Sequence, residues 1–255
     1  MVKIHGSPQH KSSLWEDFFS RTKDILPYVG GDTQLELCFG HRAELKIKSE
    51  ELVLKHPFFI DFSSNKLIWR TSHGGRRSEA VARAVIGNRD HPLVFDATAG
   101  LGRDAFILQS CGAEVTMFER NPVVWALLYD ALLRAREDHE FLASLINGLP
   151  KLAPFGPLYE QLEIGKADCI YYDPMFPQRR KKALVKQEMR ILHVAVGPDE
   201  DVEAVLPLLL KRSNSRVVVK RPPEAQCICK DLITPSGSID GKACRFDIYS
   251  TMQLI

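Results

Sequence analysis

The stretch Leu93-Val94-Phe95-Asp96-Ala97-Thr98-Ala99-Gly100-Leu101-Gly102-Arg103-Asp104 constrains this chain more than any other. An apolar run ends on a carboxylate, passes through two glycines spaced one apart, and resumes as Ala105-Phe106-Ile107-Leu108. Strand, glycine turn and helix in that order form the arrangement in which nucleotide-type cofactors are held. Glycine lets the backbone turn tightly and come close to a ligand, and the first N–H groups of a helix have no intrahelical partner. Asp96, Gly100 and Gly102 are therefore the first candidate cofactor-binding residues.

The flanking sequence extends the pattern. The spacing predicts a helix from Arg103 to Cys111 closed by Gly112, then a strand over Ala113–Glu119. Glu119 follows Gly102 by 17 residues, near the place where Rossmann-like folds put a ribose-binding carboxylate. Asn121-Pro122 supplies an N-cap and a first-turn proline for a helix whose apolar face is Val123, Val124, Leu127, Leu128, Ala131 and Leu132. Alternating strands and helices imply a parallel sheet. A short strand is expected near Lys151–Phe155, with Gly156 in a loop close to the cofactor.

Upstream, residues 1–33 show only a weak helical pattern around Trp15–Phe19. Five short pieces then predict a small strand meander: Leu35–Leu37, Glu44–Lys48, Leu52–Leu54, Phe58–Phe62 and Leu67–Trp69. Gly74-Gly75 reads as a joint or as a second loop at the site, before a helix over Ala80–Ile86. The expected organisation is a small N-terminal β-rich region over residues 1–71 and a Rossmann-like α/β domain over 72–255.

A chain of 255 residues can bury a sizeable core without disulfides. The six cysteines are scattered, and Cys227-Ile228-Cys229 has the wrong spacing for a zinc or thioredoxin-type motif, so reduced thiols in a cytoplasmic protein are expected. The N-terminus has no secretory h-region, and no run approaches the roughly 20 apolar residues of a membrane helix. The eight histidines have no metal-ligand spacing, His91 and His193 reading as surface or capping residues, and neither metal nor membrane is expected.

The chemistry is written where the fourth strand, Ala167–Tyr172, runs into Asp173-Pro174-Met175-Phe176-Pro177. Ligands of open α/β sheets bind outside the carboxyl ends of the strands, which places this loop in the same crevice as the glycine turn. Asp-Pro-x-aromatic is similar to the Asp/Asn-Pro-Pro-Tyr/Phe motif of S-adenosylmethionine-dependent methyltransferases that modify exocyclic amino groups of bases. Such an amine is a poor nucleophile because its lone pair is delocalised into the ring. Two acceptors, here the Asp173 carboxylate and the Pro174 carbonyl, would hold its N–H groups and turn the lone pair toward the methyl carbon. The prolines would fix those acceptors in advance, and Phe176 would stack on the extruded base.

A basic run follows. Arg179, Arg180, Lys181, Lys182, Lys186 and Arg190 stand against the single acid Glu188, in a chain whose net charge is only +2. Lys182, Lys186 and Arg190 recur on one helix face, the expected footprint of phosphate contacts. Gly197-Pro198-Asp199 opens another helix, Arg216–Val219 reads as a fifth strand ending in the basic pair Lys220-Arg221, and Phe246–Tyr249 reads as a late edge strand. Lys220 and Arg221 are assigned to the same phosphate-binding surface, which for a base-modifying site is a nucleic-acid one.

Taken in order from about residue 72 to 249, these segments, with Glu119-Arg120-Asn121-Pro122-Val123-Val124, Lys186–Arg190, Val217–Pro222 and Arg245–Tyr249, resemble the ribosomal RNA small-subunit methyltransferase J family. The resemblance implies a class I S-adenosylmethionine-dependent methyltransferase acting on the N2 amine of a guanine in 16S ribosomal RNA, either free or within the assembled 30S particle, as a monomer or homodimer. It also implies that Arg103-Asp104, Glu119-Arg120 and Asp173 contact the cofactor. The residues alone leave two alternatives. Gly100-x-Gly102-x-x-Ala105 also satisfies the fingerprint of an NAD(P)-dependent oxidoreductase, although Asp96 suits a sulfonium better than a pyrophosphate. A non-catalytic RNA-binding factor could carry the same fold.

Overall fold

The computed structural model describes residues 2–22, 33–50, 52–176, 187–230 and 232–251. The chain opens with β1 (Val2–His5) and α1 (Ser13–Thr22), followed by the hairpin β2 (Gln34–Phe39) and β3 (Ala43–Lys48). β1 pairs parallel with β2, and β2 pairs antiparallel with β3. Leu35, Leu37, Leu45 and Ile47 alternate with polar residues, so one face of this sheet is buried. The expected meander stops there. Segments 52–54 and 58–62 meet β3 only through the single bridges Lys48↔Val53 and Leu45↔Phe58, Pro57 having no N–H to extend a ladder.

Leu67-Ile68-Trp69, expected as a strand, lies instead in α2 (Asn65–His73). An apolar run of three fits either period, and the one-turn spacing of buried Leu67 and Thr71 decides for the helix. Gly74 ends it by donating its N–H to the Arg70 carbonyl at 2.8 Å, so Gly74-Gly75 forms the joint to α3 (Ala80–Val85).

The main body alternates β4 (Leu93–Asp96), α4 (Arg103–Ser110), β5 (Glu114–Met117), α5 (Pro122–Glu137), α6 (His139–Ser144), β6 (Lys151–Leu152), β7 (Ala167–Tyr172), α7 (Gln187–Val196), α8 (Val202–Lys211), β8 (Ser213–Arg221), β9 (Gly237–Asp240) and β10 (Arg245–Ser250). The strands form one seven-stranded sheet in the order β6-β5-β4-β7-β8-β10-β9, parallel except for β10, which runs antiparallel to both neighbours. Residues 246–249, expected at the edge, therefore lie one strand inside it. The true edge strand reads Gly-Ser-Ile-Asp and is largely exposed, so no apolar alternation announced it. Connections from β4 run outward through β5 to β6, while β7 leads the other way to β8. The order reverses between β4 and β7, the place where such sheets bind ligands.

α5 joins the two sheets. Its N-cap Asn121 accepts from the N–H groups of Val123 and Val124, and the helix is buried on nearly all sides because it lies between the main sheet and the N-terminal one. Phe18 of α1 stacks on Trp125 of α5, with ring centroids 5.0 Å apart and an interplanar angle of 11°, while Trp15 meets Trp125 edge-on. The Trp125 indole N–H donates to the Ala153 carbonyl at 3.1 Å, which satisfies the one polar atom of that ring. Phe18→Ala is expected to cost about 3–5 kcal/mol. Because Phe18 ties the two sheets together, circular dichroism and tryptophan fluorescence should report the same shifted denaturant midpoint in one transition.

Candidate active site

At the reversal point β4 and β7 lie in register, Asp96 opposite Tyr171, and their carboxyl ends open on a cavity of about 480 Å³. Asp96, Gly100, Arg103, Asp104, Asp173, Pro174 and Phe176 all line it, so the structure brings together most of the residues singled out from sequence. The remaining walls include Arg70 of α2, Tyr171, Lys220 and Arg221 at the end of β8, and Glu188, Met189, Leu192 and His193 of α7. His193, expected at the surface, thus faces the cavity, and burial holds its imidazole below its ordinary pKa.

The glycine turn has a positive φ at both glycines, 51° at Gly100 and 73° at Gly102, which explains the residue type. At Gly102 a Cβ would also crowd Leu128 at 3.1 Å and Phe62 at 3.3 Å, so this glycine serves packing and does not line the cavity. At Gly100 the room for a side chain is open, its nearest neighbour being the Thr98 carbonyl at 3.9 Å. Glu119 sits behind the turn and shapes it. Its two carboxylate oxygens accept from the N–H of Gly100 at 2.9 Å and of Asn121 at 2.7 Å. Gly156 bridges to Glu119 through the backbone, donating to its carbonyl at 3.2 Å. Neither Glu119, Arg120 nor Gly156 is in the cavity wall.

Thr98 couples the turn to the Asp-Pro loop. Its N–H donates to Asp96 Oδ1 at 3.1 Å, and its Oγ1 accepts from the Asp173 N–H at 2.6 Å. Asp199 fastens the other end of the loop, accepting from the Met175 N–H at 2.7 Å while its own N–H donates to the Met175 carbonyl at 2.8 Å. Arg120 holds Asp199 and also pairs with both oxygens of Asp201. Burial alone would depress this guanidinium, but the two carboxylates raise it above its ordinary value. Arg120, expected to touch the cofactor, is thus engaged in positioning Met175. Phe176, expected to stack on a base, carries the Arg221 guanidinium 4.1 Å from its ring centroid.

Lys220 is the largest departure from the sequence reading, which placed it on an RNA surface. Its Nζ donates to Asp104 Oδ2 at 3.0 Å and to Asp173 Oδ2 at 2.8 Å, and Tyr171 donates to Asp104 Oδ2 at 2.7 Å. Burial would raise Asp104, but Lys220 and the Tyr171 hydroxyl outweigh it and hold the carboxyl below its usual range. Asp173 goes the other way, pushed up by burial against the opposing pull of Lys220. Burial would lower Lys220 itself, and the two carboxylates lift it above an ordinary lysine. Asp96 and Glu119 are both raised by burial, Asp96 strongly, with the Thr98 N–H opposing at Asp96 and the Asn121 and Gly100 N–H groups and the Arg120 charge opposing at Glu119.

Sequence reasoning missed Thr98, Tyr171, Asp199, Arg70 and the true place of Lys220. The strand-end position of Lys220 was a usable signal, since it shares that level of the sheet with Asp173 on the neighbouring strand. Of the proposed RNA contacts, Arg190 lies exposed on α7, and Arg179, Arg180, Lys181, Lys182 and Lys186 lie outside the described residues. Among the described residues no cluster of three or more His, Cys, Asp or Glu could hold a metal, and no helix is long and apolar enough to cross a membrane.

The donor set suits a cationic cofactor. A carboxyl such as Asp96, raised by burial and by the like charges around it, gains from an ammonium or sulfonium placed beside it, whereas a pyrophosphate there would be repelled. The open face of Gly100 leaves room for such a ligand. The comparisons agree. The family model for SAM-dependent methyltransferases matches residues 28–251. The chain is 45% identical over 196 residues to ribosomal RNA small subunit methyltransferase J of Tolumonas auensis, covering 76% of this chain and 77% of that one. It is 43% identical over 216 residues to the same-named protein of Shewanella loihica, covering 84% and 82%. The crystal structure of a SAM-dependent methyltransferase from Neisseria gonorrhoeae superposes with a TM-score of 0.67 at 29% identity, covering 98% of this chain and 96% of that one. The family model spans most of the chain and these relatives are more than 40% identical over three quarters of it or more, and the chain belongs to the ribosomal RNA small subunit methyltransferase J family of S-adenosylmethionine-dependent methyltransferases.

Proposed function

We propose that this cavity methylates the exocyclic N2 amine of a guanine in small-subunit (16S) ribosomal RNA, in the cytoplasm. The observation that carries the reading is Asp173, held at the end of β7 by Thr98 and Lys220 and followed by Pro174. Relatives named as small-subunit ribosomal RNA methyltransferases support the substrate class. When bound, S-adenosylmethionine supplies a methyl group activated by its sulfonium. Asp96, Gly100, Arg103, Asp104 and Asp173 would hold it, with Glu119 and Gly156 supporting the turn from behind.

The protein's contribution is orientation. Asp173 and the Pro174 carbonyl accept the two N–H groups of the amine, which frees the nitrogen lone pair to point at the methyl carbon. The amine nitrogen would take the methyl carbon as its bond to the sulfonium breaks and a neutral thioether leaves, and the proton that the nitrogen then gives up would pass to the Asp173 carboxylate. Burial has already raised the proton affinity of that carboxyl, while Lys220 fixes its Oδ2. Asp199, tied to Arg120, prevents the Met175 backbone from swinging away. Arg190 on α7 and the basic run before it would meet RNA phosphates.

Tritiated methyl transfer to unmodified small-subunit RNA and to assembled subunits, followed by nucleoside analysis, tests reaction and base together; a product other than N2-methylguanosine would overturn the assignment. Asp173→Ala should lower transfer by at least about 100-fold, the cost of losing a positioned acceptor, while the rise in Tm on adding S-adenosylmethionine is reduced but at least partly retained.

The Lys220 triad makes a pH-dependent contribution to stability. Asp104, held low in the folded state, stabilises above its unfolded pKa, and that contribution is lost as pH falls through the lower folded value. Lys220, held high, stabilises below its unfolded pKa, and its contribution is lost as pH rises through the folded one. Lys220→Met should therefore cost about 1–3 kcal/mol near neutral pH, less than a fully buried pair because the three side chains keep some water contact. Denaturant titrations should show the deficit shrinking in acid, as Asp104 and Asp173 protonate.

A further inference from the structure

We propose that Trp69 and His73 on α2 form a stacking platform for an unpaired RNA base flanking the modified nucleotide, an inference that rests on the ribosomal RNA reading above. Trp69 is 64% exposed, whereas Trp15 and Trp125 are 3% and 0% exposed. A tryptophan left in water forgoes one of the largest apolar burials a side chain can make, so its exposure calls for a partner. The ring is already ordered. It lies parallel to the His73 imidazole, with centroids 5.3 Å apart and an interplanar angle of 13°, and His73 Nδ1 is 3.0 Å from the Trp69 carbonyl. A surface organised in advance loses little side-chain entropy on binding.

Its position points to the substrate. Leu67 and Thr71 bury one face of α2, and Arg70 reaches from the helix into the cavity wall, held by a two-bond ion pair with Glu79 at 3.0 and 2.7 Å. At 100° per residue, Arg70, His73 and Trp69 follow one another around the helix, so the platform stands beside the cavity wall on its solvent side. The charge of the segment suits a phosphate chain: residues 65–77 contain no Asp or Glu, and while Glu79 answers Arg70 and the Cys111 and Arg89 carbonyls hold Arg76, Arg77 is exposed. A flat ring stacked on His73, with polar neighbours on the helix such as Ser72, has the composition of a base-stacking site, whereas a protein hot spot would set the ring in a wider apolar patch.

The test uses the intact protein and a short single-stranded RNA oligonucleotide taken from unmodified small-subunit RNA. Because the other two tryptophans are buried, acrylamide-quenchable emission reports Trp69, and RNA should both change that emission and protect it. W69A should weaken RNA binding roughly tenfold and raise the KM for RNA, W69F should keep most of the affinity, and the S-adenosylmethionine-induced rise in Tm should be the same in all three proteins. RNA binding with unchanged Trp69 quenching, or with W69A as tight as wild type, would overturn the platform and leave the methyltransferase reading standing. A W69A defect confined to assembled subunits, with naked RNA bound normally, would overturn it in favour of a ribosomal-protein contact. Failure of the wild-type protein to bind or methylate any small-subunit RNA would overturn the substrate reading and the platform with it.

Discussion

Like charge at the reversal point of the sheet is the constraint on which the site depends. Asp96, Asp104 and Asp173 converge there because the glycine turn, the first turn of α4 and the end of β7 all face one cavity. Carboxylates so arranged in a buried place repel one another and resist ionisation. Lys220 answers two of them, and the Tyr171 hydroxyl, whose own proton burial holds firmly, answers Asp104 again. Among the described residues the Asp96 carboxyl accepts from the Thr98 N–H alone, and a cationic ligand would complete the site in that respect.

The same interactions make the two halves of the chemistry inseparable. Thr98 belongs to the cofactor turn, yet its hydroxyl positions the backbone of Asp173. Arg120 belongs to the connection after β5, yet through Asp199 it fixes Met175. A shift in the glycine turn is therefore felt at the Asp-Pro loop, and the positioning of both is shared across four strand ends. The N-terminal sheet takes part through α5, whose Trp125 packs under Phe18 and Trp15 on one side and bonds to Ala153 on the other.

Much of this was legible from residue order. The strand, turn and helix around Gly100 and Gly102, the Asn121-Pro122 helix start and the Asp-Pro loop all came out where local rules put them, since each is a short-range consequence of its own residues. Leu67–Trp69 and the β9 edge did not. In the first, a three-residue apolar run carries no period of its own; in the second, a polar edge strand carries no alternation. At the site, the partners of Asp173 were hidden because Thr98 and Lys220 lie 75 and 47 residues away in sequence.

By itself, then, the sequence determined the local features of the site: which strand ends carry acids, where the backbone must turn left-handed, and that an Asp-Pro step follows the fourth strand. Those properties are local, set by backbone sterics and by side-chain type. Only the tertiary structure decided what each acid and base faces. Lys220 was expected on an RNA surface and Arg120 at the cofactor, and the fold engages both inside the protein, one between two carboxylates and one on a loop-clamping aspartate, because a buried ion must find its opposite charge there.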